Sequence, residues 1–345
     1  MSQRYIRQEL LPGFGVAGQQ ALAQAHVVVI GAGGLGSPVL MYLAAAGVGR
    51  LTVIDDDVVD ETNLQRQIIH HDDSVGLSKV ASAKASIAKI NPHCEVRIVN
   101  ARFTFPEGMQ WTEDADVIVD GSDNTDTRYV VSAIAARRQI PHVWAAILGY
   151  EAQLSVFRFG QVIYEDVFAQ PPLPGDVPSC SQAGVLGPVV GIIGSAMALE
   201  TIKLITGIGT PLIGKLAVFS SLDHTWETIP LCGDPSRHQQ VATQPPRSSA
   251  GIPEVFDIDN CAALIDVRNS EEFTHHHLPG AIHVPLASIE HDPAAASANI
   301  PDGSVLYCAH GIRSQRAGVL LTLAGVQQLR SLAGGIHRYT QSENQ

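Results

Sequence analysis

The sequence has no Cys-x-x-Cys pair. Its five cysteines, Cys94, Cys180, Cys232, Cys261 and Cys308, are odd in number and widely scattered. This pattern fits reduced thiols in a cytoplasmic protein better than a disulfide framework. Positive charge is also scarce. With 22 Lys and Arg against 34 Asp and Glu, a net charge of −12 argues against nucleic acid or an anionic membrane as partner. No charged-then-apolar leader opens the chain, so no signal peptide is expected. No long apolar run is free of charge either. The best candidate for a membrane span, residues 187–207, carries Glu200 and Lys203 and reads as a buried helix, with Gly187, Gly191 and Gly194 allowing close packing. There is no internal repeat.

What is present is ordinary soluble composition, 45% hydrophobic over 345 residues, enough for two domains. The organising stretch is 27–66, in which an apolar strand enters a glycine turn, a helix, a second strand and an acidic loop ending in Asn63 and Arg66. Gly31, Gly33, Gly34 and Gly36 satisfy G-x-G-x-x-G, and Asp55 closes the second strand at the ~20-residue spacing of a ribose-binding carboxylate. The glycines let a phosphate approach the backbone, and the following helix N-terminus offers N–H groups and partial positive charge. By themselves these features mean a nucleotide, and an NAD-dependent oxidoreductase satisfies them equally.

The chain continues in a βαβ rhythm. Helices are expected over 79–92, stopped at Asn91-Pro92, and over 125–139, with Thr125 as cap. Strands are expected at CEVRIVN, at DADVIVDGS and over 142–147, so the sheet should be mostly parallel and covered on both faces. QLSVFRF and QVIYED suggest an antiparallel extension, and LAVFSSL and TWETIPL close the domain. The proline-rich segment 169–182, with Cys180 near its end, reads as a long functional connection. Residues 234–251 are polar and read as a linker, and a smaller α/β unit occupies 252–345.

Arg66, Lys79 and Asp123 all fall where this topology places phosphates, at the carboxyl ends of strands. Two cations and a carboxylate suit a triphosphate with Mg²⁺, whereas a pyrophosphate is already held by the helix N-terminus. The motifs RYIRQELL, GAGGLGS, DETNLQRQIIH, VGLSKV, DGSDNTDTR and CSQAGVLGPVVG together resemble the MoeB/ThiF adenylyltransferases, relatives of the ubiquitin-activating enzymes. The resemblance covers about residues 1–232. It implies ATP·Mg²⁺-dependent adenylation of the C-terminal Gly-Gly carboxylate of a ubiquitin-fold sulfur-carrier protein, in molybdenum-cofactor synthesis or a related sulfur-carrier pathway. It further implies that Gly34 approaches the α-phosphate and Asp55 holds the ribose. Asn63, Arg66 and Lys79 then contact phosphates, Asp123 binds Mg²⁺ and Asn124 lines the pocket. Arg7 would reach into the site of a partner subunit, which implies a homodimer. Many members carry two Cys-x-x-Cys pairs for zinc. Here the corresponding regions retain only Cys232, so no zinc is expected.

In the second unit Cys308 follows the strand SVLY and precedes an apolar helix, with Arg313 five positions on. Loop N–H groups, a helix N-terminus and a nearby cation all favour a thiolate there. With LIDVR, EEF and HLPGAIHVPL, this Cys-x4-Arg loop resembles rhodanese-like sulfurtransferase domains, which implies a persulfide on Cys308. Asp266 and Arg268 read as structural. His277 belongs to the H-L-P-G motif, and His275 and His276 read as solvated. The stretch before LIDVR is short for that family, so its first helix is expected to be trimmed.

The fold expected is therefore α/β, a Rossmann-like mostly parallel sheet domain over 1–233 plus a small rhodanese-like domain. The chemistry expected is a relay, in which the first domain makes an acyl-adenylate and the Cys308 persulfide attacks it. Cys180 takes the acyl group or resolves the acyl disulfide, and a persulfide donor such as a cysteine desulfurase reloads Cys308. A third reading is a non-catalytic scaffold that binds a ubiquitin-like protein.

Overall fold

Short valine- and isoleucine-rich runs set the architecture of the first unit. His26–Ile30 (β1) is buried along its whole length, and alternate side chains enter different cores. Val27 and Val29 pack beneath α2 (Gly15–Gln24), α3 (Gly36–Ala46), α4 (Lys79–Ile90) and the helix Gly187–Thr206, while Val28 and Ile30 pack beneath α5 (Phe105–Trp111) and α6 (Thr125–Arg138). A strand buried on both faces belongs in a parallel sheet covered by helices. The computed structural model describes residues 3–173, 176, 184–248, 251–259 and 261–342.

With β2 (Arg50–Ile54), β3 (Glu95–Val99), β4 (Val117–Asp120) and β5 (His142–Leu148), the parallel part runs β3-β2-β1-β4-β5. The strand order reverses between β1 and β4, which opens a crevice at their carboxyl ends. Three antiparallel strands, β6 (Glu151–Phe157), β7 (Lys215–Ser220) and β8 (Thr225–Pro230), extend the sheet to eight. The helix Gly187–Thr206 is long and apolar enough to cross a membrane, but it packs into this core through Val189, Val190, Ile193 and Met197.

Three local expectations differ from the structure. QVIYED makes only a bridge at Val162 and then a helical turn, α7 (Tyr164–Val167), because the Asp166 carboxylate accepts the Ile163 N–H and starts a turn. The cap of α6 is Asn124 rather than Thr125, its side chain accepting from the Thr127 N–H at 3.2 Å. Residues 235–243 are a helix, Pro235–Thr243, where a linker was expected, and the first unit runs on to Ser248. The signal was present in Asp234-Pro235, a helix cap followed by proline at the first turn. It was obscured because this helix buries only His238 and Val241. Asp166 secures it from α7, receiving His238 Nε2 at 2.7 Å, Arg237 Nη1 at 3.2 Å and the Asp234 N–H at 3.1 Å.

The second unit is a five-stranded parallel sheet in the order β11-β10-β12-β13-β9. Its strands are β9 (Glu254–Val255), β10 (Leu264–Asp266), β11 (Ile282–His283), β12 (Val305–Tyr307) and β13 (Arg330–Leu332). No helix joins β9 to β10 among the described residues. Asp266 and Arg268 form a buried bidentate pair at the end of β10, with the guanidinium over the Tyr307 ring.

Glu165 is buried in the first unit and accepts a hydrogen bond from Ser132 Oγ at 2.6 Å. Burial pushes its carboxyl up to about 7, from an ordinary 4.5. Between those values the folded chain holds a proton that the unfolded chain releases, so stability falls as pH rises through this window. Denaturant titration at pH 5 and pH 8 should show Glu165→Gln gaining on wild type at the higher pH, by up to about 3 kcal/mol. An unchanged difference between the two proteins would contradict this.

Candidate active site

The crevice between β1 and β4 is a cleft of about 370 Å³, a size suited to a small ligand. Its floor is the glycine turn. A Cβ on Gly36 would lie 1.9 Å from the Gly31 carbonyl oxygen, and one on Gly34 would lie 2.9 Å from Val190 Cγ1. The bare backbone is therefore presented at the N-terminus of α3, where N–H groups suit a phosphate. Two side chains brace the turn from below. Asp55 Oδ2 accepts the Ala32 N–H at 2.7 Å, and buried His70 lies 2.8 Å from the Ala32 carbonyl oxygen through Nε2. Burial pushes the Asp55 carboxyl up, while the N–H groups of Asp57 and Ala32 pull it down. Each of its oxygens keeps a second lone pair that can accept a further hydrogen bond.

Gly31, Gly33, Gly34, Asp55, Arg66, Lys79, Asp123 and Asn124 all line this one cleft. Lys79 begins α4 with its side chain 7% exposed, and its Nζ bonds to Asp57 Oδ2 at 2.8 Å. Arg66 donates to the Thr62 carbonyl at 3.1 Å. Asn63 stands one step back. Its Oδ1 accepts from Gln67 Nε2 at 2.7 Å, and it is Gln67 that lines the cleft. Arg7 is exposed on α1 (Ile6–Glu9) and does not line the cleft of its own chain. Cys180 lies outside the described residues.

Gln67, Arg102 and Arg128 also line the cleft, beyond the residues that the sequence marks. Gln67 and Arg128 sit inside the motifs NLQRQ and DGSDNTDTR, so their signal was available. Arg102 has none, because it lies on an irregular turn after β3.

In the second unit Cys308 follows β12 and is 1% exposed. Its Sγ accepts the Gly311 N–H at 3.1 Å, with Ser314 Oγ 3.7 Å away. Gly311 caps the helix Ile312–Leu323 at φ 99, and Gly335 packs so closely that a Cβ would lie 2.4 Å from the Cys308 carbonyl oxygen. The loop thus packs backbone closely around the buried sulfur. Arg313 is less available than expected. Glu272 binds it through two 2.7 Å hydrogen bonds, and that contact holds the Glu272 carboxyl down at about 2. The 275–277 histidines form no metal cluster among the described residues. His277 is exposed and stacks on Phe273 at 4.1 Å.

Comparison with known proteins agrees with this geometry. The model of the ThiF family matches residues 5–241, and that of the rhodanese-like domain matches 254–342. The chain is 41% identical to the "Probable adenylyltransferase/sulfurtransferase MoeZ" of Mycobacterium tuberculosis, across 96% of this chain and 91% of that one. It is 35% identical to "Adenylyltransferase and sulfurtransferase MOCS3-1" of Zea mays (98% and 81%), and 39% identical to the "SAMP-activating enzyme E1" of Haloferax volcanii (76% and 96%). Among solved structures, Escherichia coli MccB with ATP shares the fold at a TM-score of 0.60 and 23% identity, over 68% of this chain and 73% of that one. The chain belongs to the ThiF family, carries a rhodanese-like domain behind the ThiF domain, and is an adenylyltransferase and sulfurtransferase.

Proposed function

We propose that the cleft binds ATP with Mg²⁺ and adenylates the C-terminal Gly-Gly carboxylate of a ubiquitin-fold sulfur-carrier protein. We propose further that Cys308 supplies the sulfur. The observation that carries this reading is the convergence of the glycine turn, Arg66, Lys79, Arg128 and Asp123 in one cleft. A hydride-transfer enzyme needs no such set of cations beyond its pyrophosphate site.

Attack of a carboxylate on an α-phosphate brings anion to anion, so the residues present must offset charge and fix geometry. The glycine-turn N–H groups, Lys79 and Arg66 face the phosphates. Asp123, exposed on the cleft wall, offers the carboxylate oxygen that a hard divalent ion takes. Bound there, Mg²⁺ would neutralise charge on the phosphates. The carboxylate oxygen forms a bond to phosphorus as the bond to pyrophosphate breaks, and no general base is required because the nucleophile is already ionised. Lys79 must exchange Asp57 for phosphate as ATP enters.

In the second step the terminal sulfur of a Cys308 persulfide attacks the acyl carbon and AMP leaves. An acyl disulfide between the carrier and Cys308 results. The Cys180 thiolate then attacks the Cys308 sulfur and releases the carrier thiocarboxylate, leaving a Cys180–Cys308 disulfide for a thiol reductant to reopen. Alternatively, Cys180 takes the acyl group as a thioester. A persulfide donor such as a cysteine desulfurase reloads Cys308. Arg7, exposed and away from its own cleft, fits a homodimer in which it completes the partner's site. Free thiols and the acidic surface fit a cytoplasmic protein. No zinc is proposed, since Asp166, His238 and Arg237 already bind one another where the thiolate pairs are lacking.

ATP–pyrophosphate exchange that depends on a Gly-Gly-ended carrier should be measurable for the wild type. Lys79→Met should reduce it at least about a hundredfold, as loss of a transition-state charge contact does, whereas Cys308→Ala should keep exchange and lose thiocarboxylate formation. Exchange without a carrier, or normal thiocarboxylate from Cys308→Ala with a persulfide donor, would overturn the reading. Elemental analysis should find no stoichiometric zinc, and EDTA should leave the unfolding temperature unchanged.

A further inference from the structure

A buried polar group lies directly behind the cleft. Asp120 ends β4 and is fully buried, and His142 opens β5 with 1% exposure. His142 Nε2 lies 3.4 Å from Asp120 Oδ2. Among the described residues, Asp120 Oδ2, both His142 ring nitrogens, Trp144 Nε1 and Arg128 Nε have no hydrogen-bond partner. The walls are aromatic, with the His142 ring 5.6 Å from Phe157 and 6.4 Å from Tyr164. A carboxylate is kept in such a place only when its charge is used and compensated.

Its use is visible at the other oxygen. Asp120 Oδ1 accepts the Ser122 N–H at 3.0 Å and Ser122 Oγ at 2.6 Å. Arg128 Nη2 approaches the Ser122 carbonyl oxygen at 3.3 Å. Ser122 is thereby held at both its N–H and its carbonyl, and the next residue is Asp123. The 121–124 loop also has no slack against the glycine turn. A Cβ on Gly31 would lie 3.0 Å from the Gly121 carbonyl oxygen, and one on Gly121 would lie 3.2 Å from the Gly36 nitrogen. Burial opposes the Asp120 charge, yet the contacts from His142 and Ser122 outweigh it and keep the carboxyl below the ordinary aspartate range.

We propose that Asp120 and His142 are positioning residues that act through Ser122 to set the 121–124 loop, so that Asp123 meets the Mg²⁺-bound triphosphate in register with the glycine turn. The inference rests on the ATP·Mg²⁺ reading of the cleft. It assigns the couple to metal-dependent nucleotide binding, in addition to its place in the core.

The test is binding of a non-hydrolysable ATP analogue to the full-length chain, titrated with and without Mg²⁺, with unfolding temperatures measured in parallel. Wild type should bind more tightly with Mg²⁺. Asp120→Asn and Ser122→Ala should each lose most of that gain, about tenfold, while Mg²⁺-free affinity changes less than twofold. His142→Phe should behave likewise, and His142→Gln, which keeps a donor, should recover part of the loss. The Asp120→Asn/Ser122→Ala double variant should be no worse than either single one. Ser122→Ala alters only a loop side chain and keeps the test usable if Asp120→Asn fails to fold. A full Mg²⁺ gain in folded Ser122→Ala would overturn the inference. So would affinities with and without Mg²⁺ falling together in step with the unfolding temperature. If wild type and Asp123→Ala alike show no Mg²⁺ gain, the ATP·Mg²⁺ reading falls, and the inference falls with it.

Discussion

The rest of the first unit depends on one steric constraint, the absence of space for a side chain at the end of β1. A Cβ on Gly36 would lie 1.9 Å from the Gly31 carbonyl oxygen, and the Gly121 carbonyl closes on Gly31 from the β4 side. Phosphate can therefore approach bare backbone at a helix N-terminus. Asp55 and His70 hold the turn from beneath, and Lys79, Arg66, Arg128 and Asp123 surround the space above it. The same crevice follows from topology, because the parallel order reverses between β1 and β4.

The two sites handle negative charge differently. The cleft of the first unit gathers cations because its substrates, a triphosphate and a carboxylate, must be brought together against repulsion. The Cys308 loop gathers fewer partners. The Gly311 N–H reaches its sulfur at 3.1 Å, and the Arg313 guanidinium is shared with Glu272, which holds it through two hydrogen bonds. A single sulfur carries less charge than a triphosphate and calls for fewer partners.

Much of this was legible in the sequence, and the limits have physical causes. Buried β-branched runs such as HVVVI and glycines at fixed spacing are local signals, so the sheet, the turn and the cleft-lining residues Asp55, Arg66, Lys79 and Asp123 could be named in advance. What could not be read was pairing across the chain. Lys79 rests on Asp57, and Glu272 claims Arg313; both depend on a partner chosen by tertiary packing, whereas the Asn63–Gln67 bond is a local contact four residues apart. Residues 235–243 read as a linker because the helix there is polar in composition and docks through only His238 and Val241. QVIYED failed as a strand because one carboxylate, Asp166, turned the chain.

The central claim is that the two sites are consecutive stations for one acyl group. The most direct measurement is a single turnover of the full-length chain, with Cys308 loaded as the persulfide, ATP, Mg²⁺ and a Gly-Gly-ended carrier, followed by intact mass. A carrier–chain adduct through Cys308 is expected first, giving way to free carrier thiocarboxylate and a Cys180–Cys308 disulfide that a thiol reductant reopens, with one AMP formed per carrier. Thiocarboxylate appearing at the same rate from a chain lacking the Cys308 sulfur, or AMP formed with no carrier present, would contradict it.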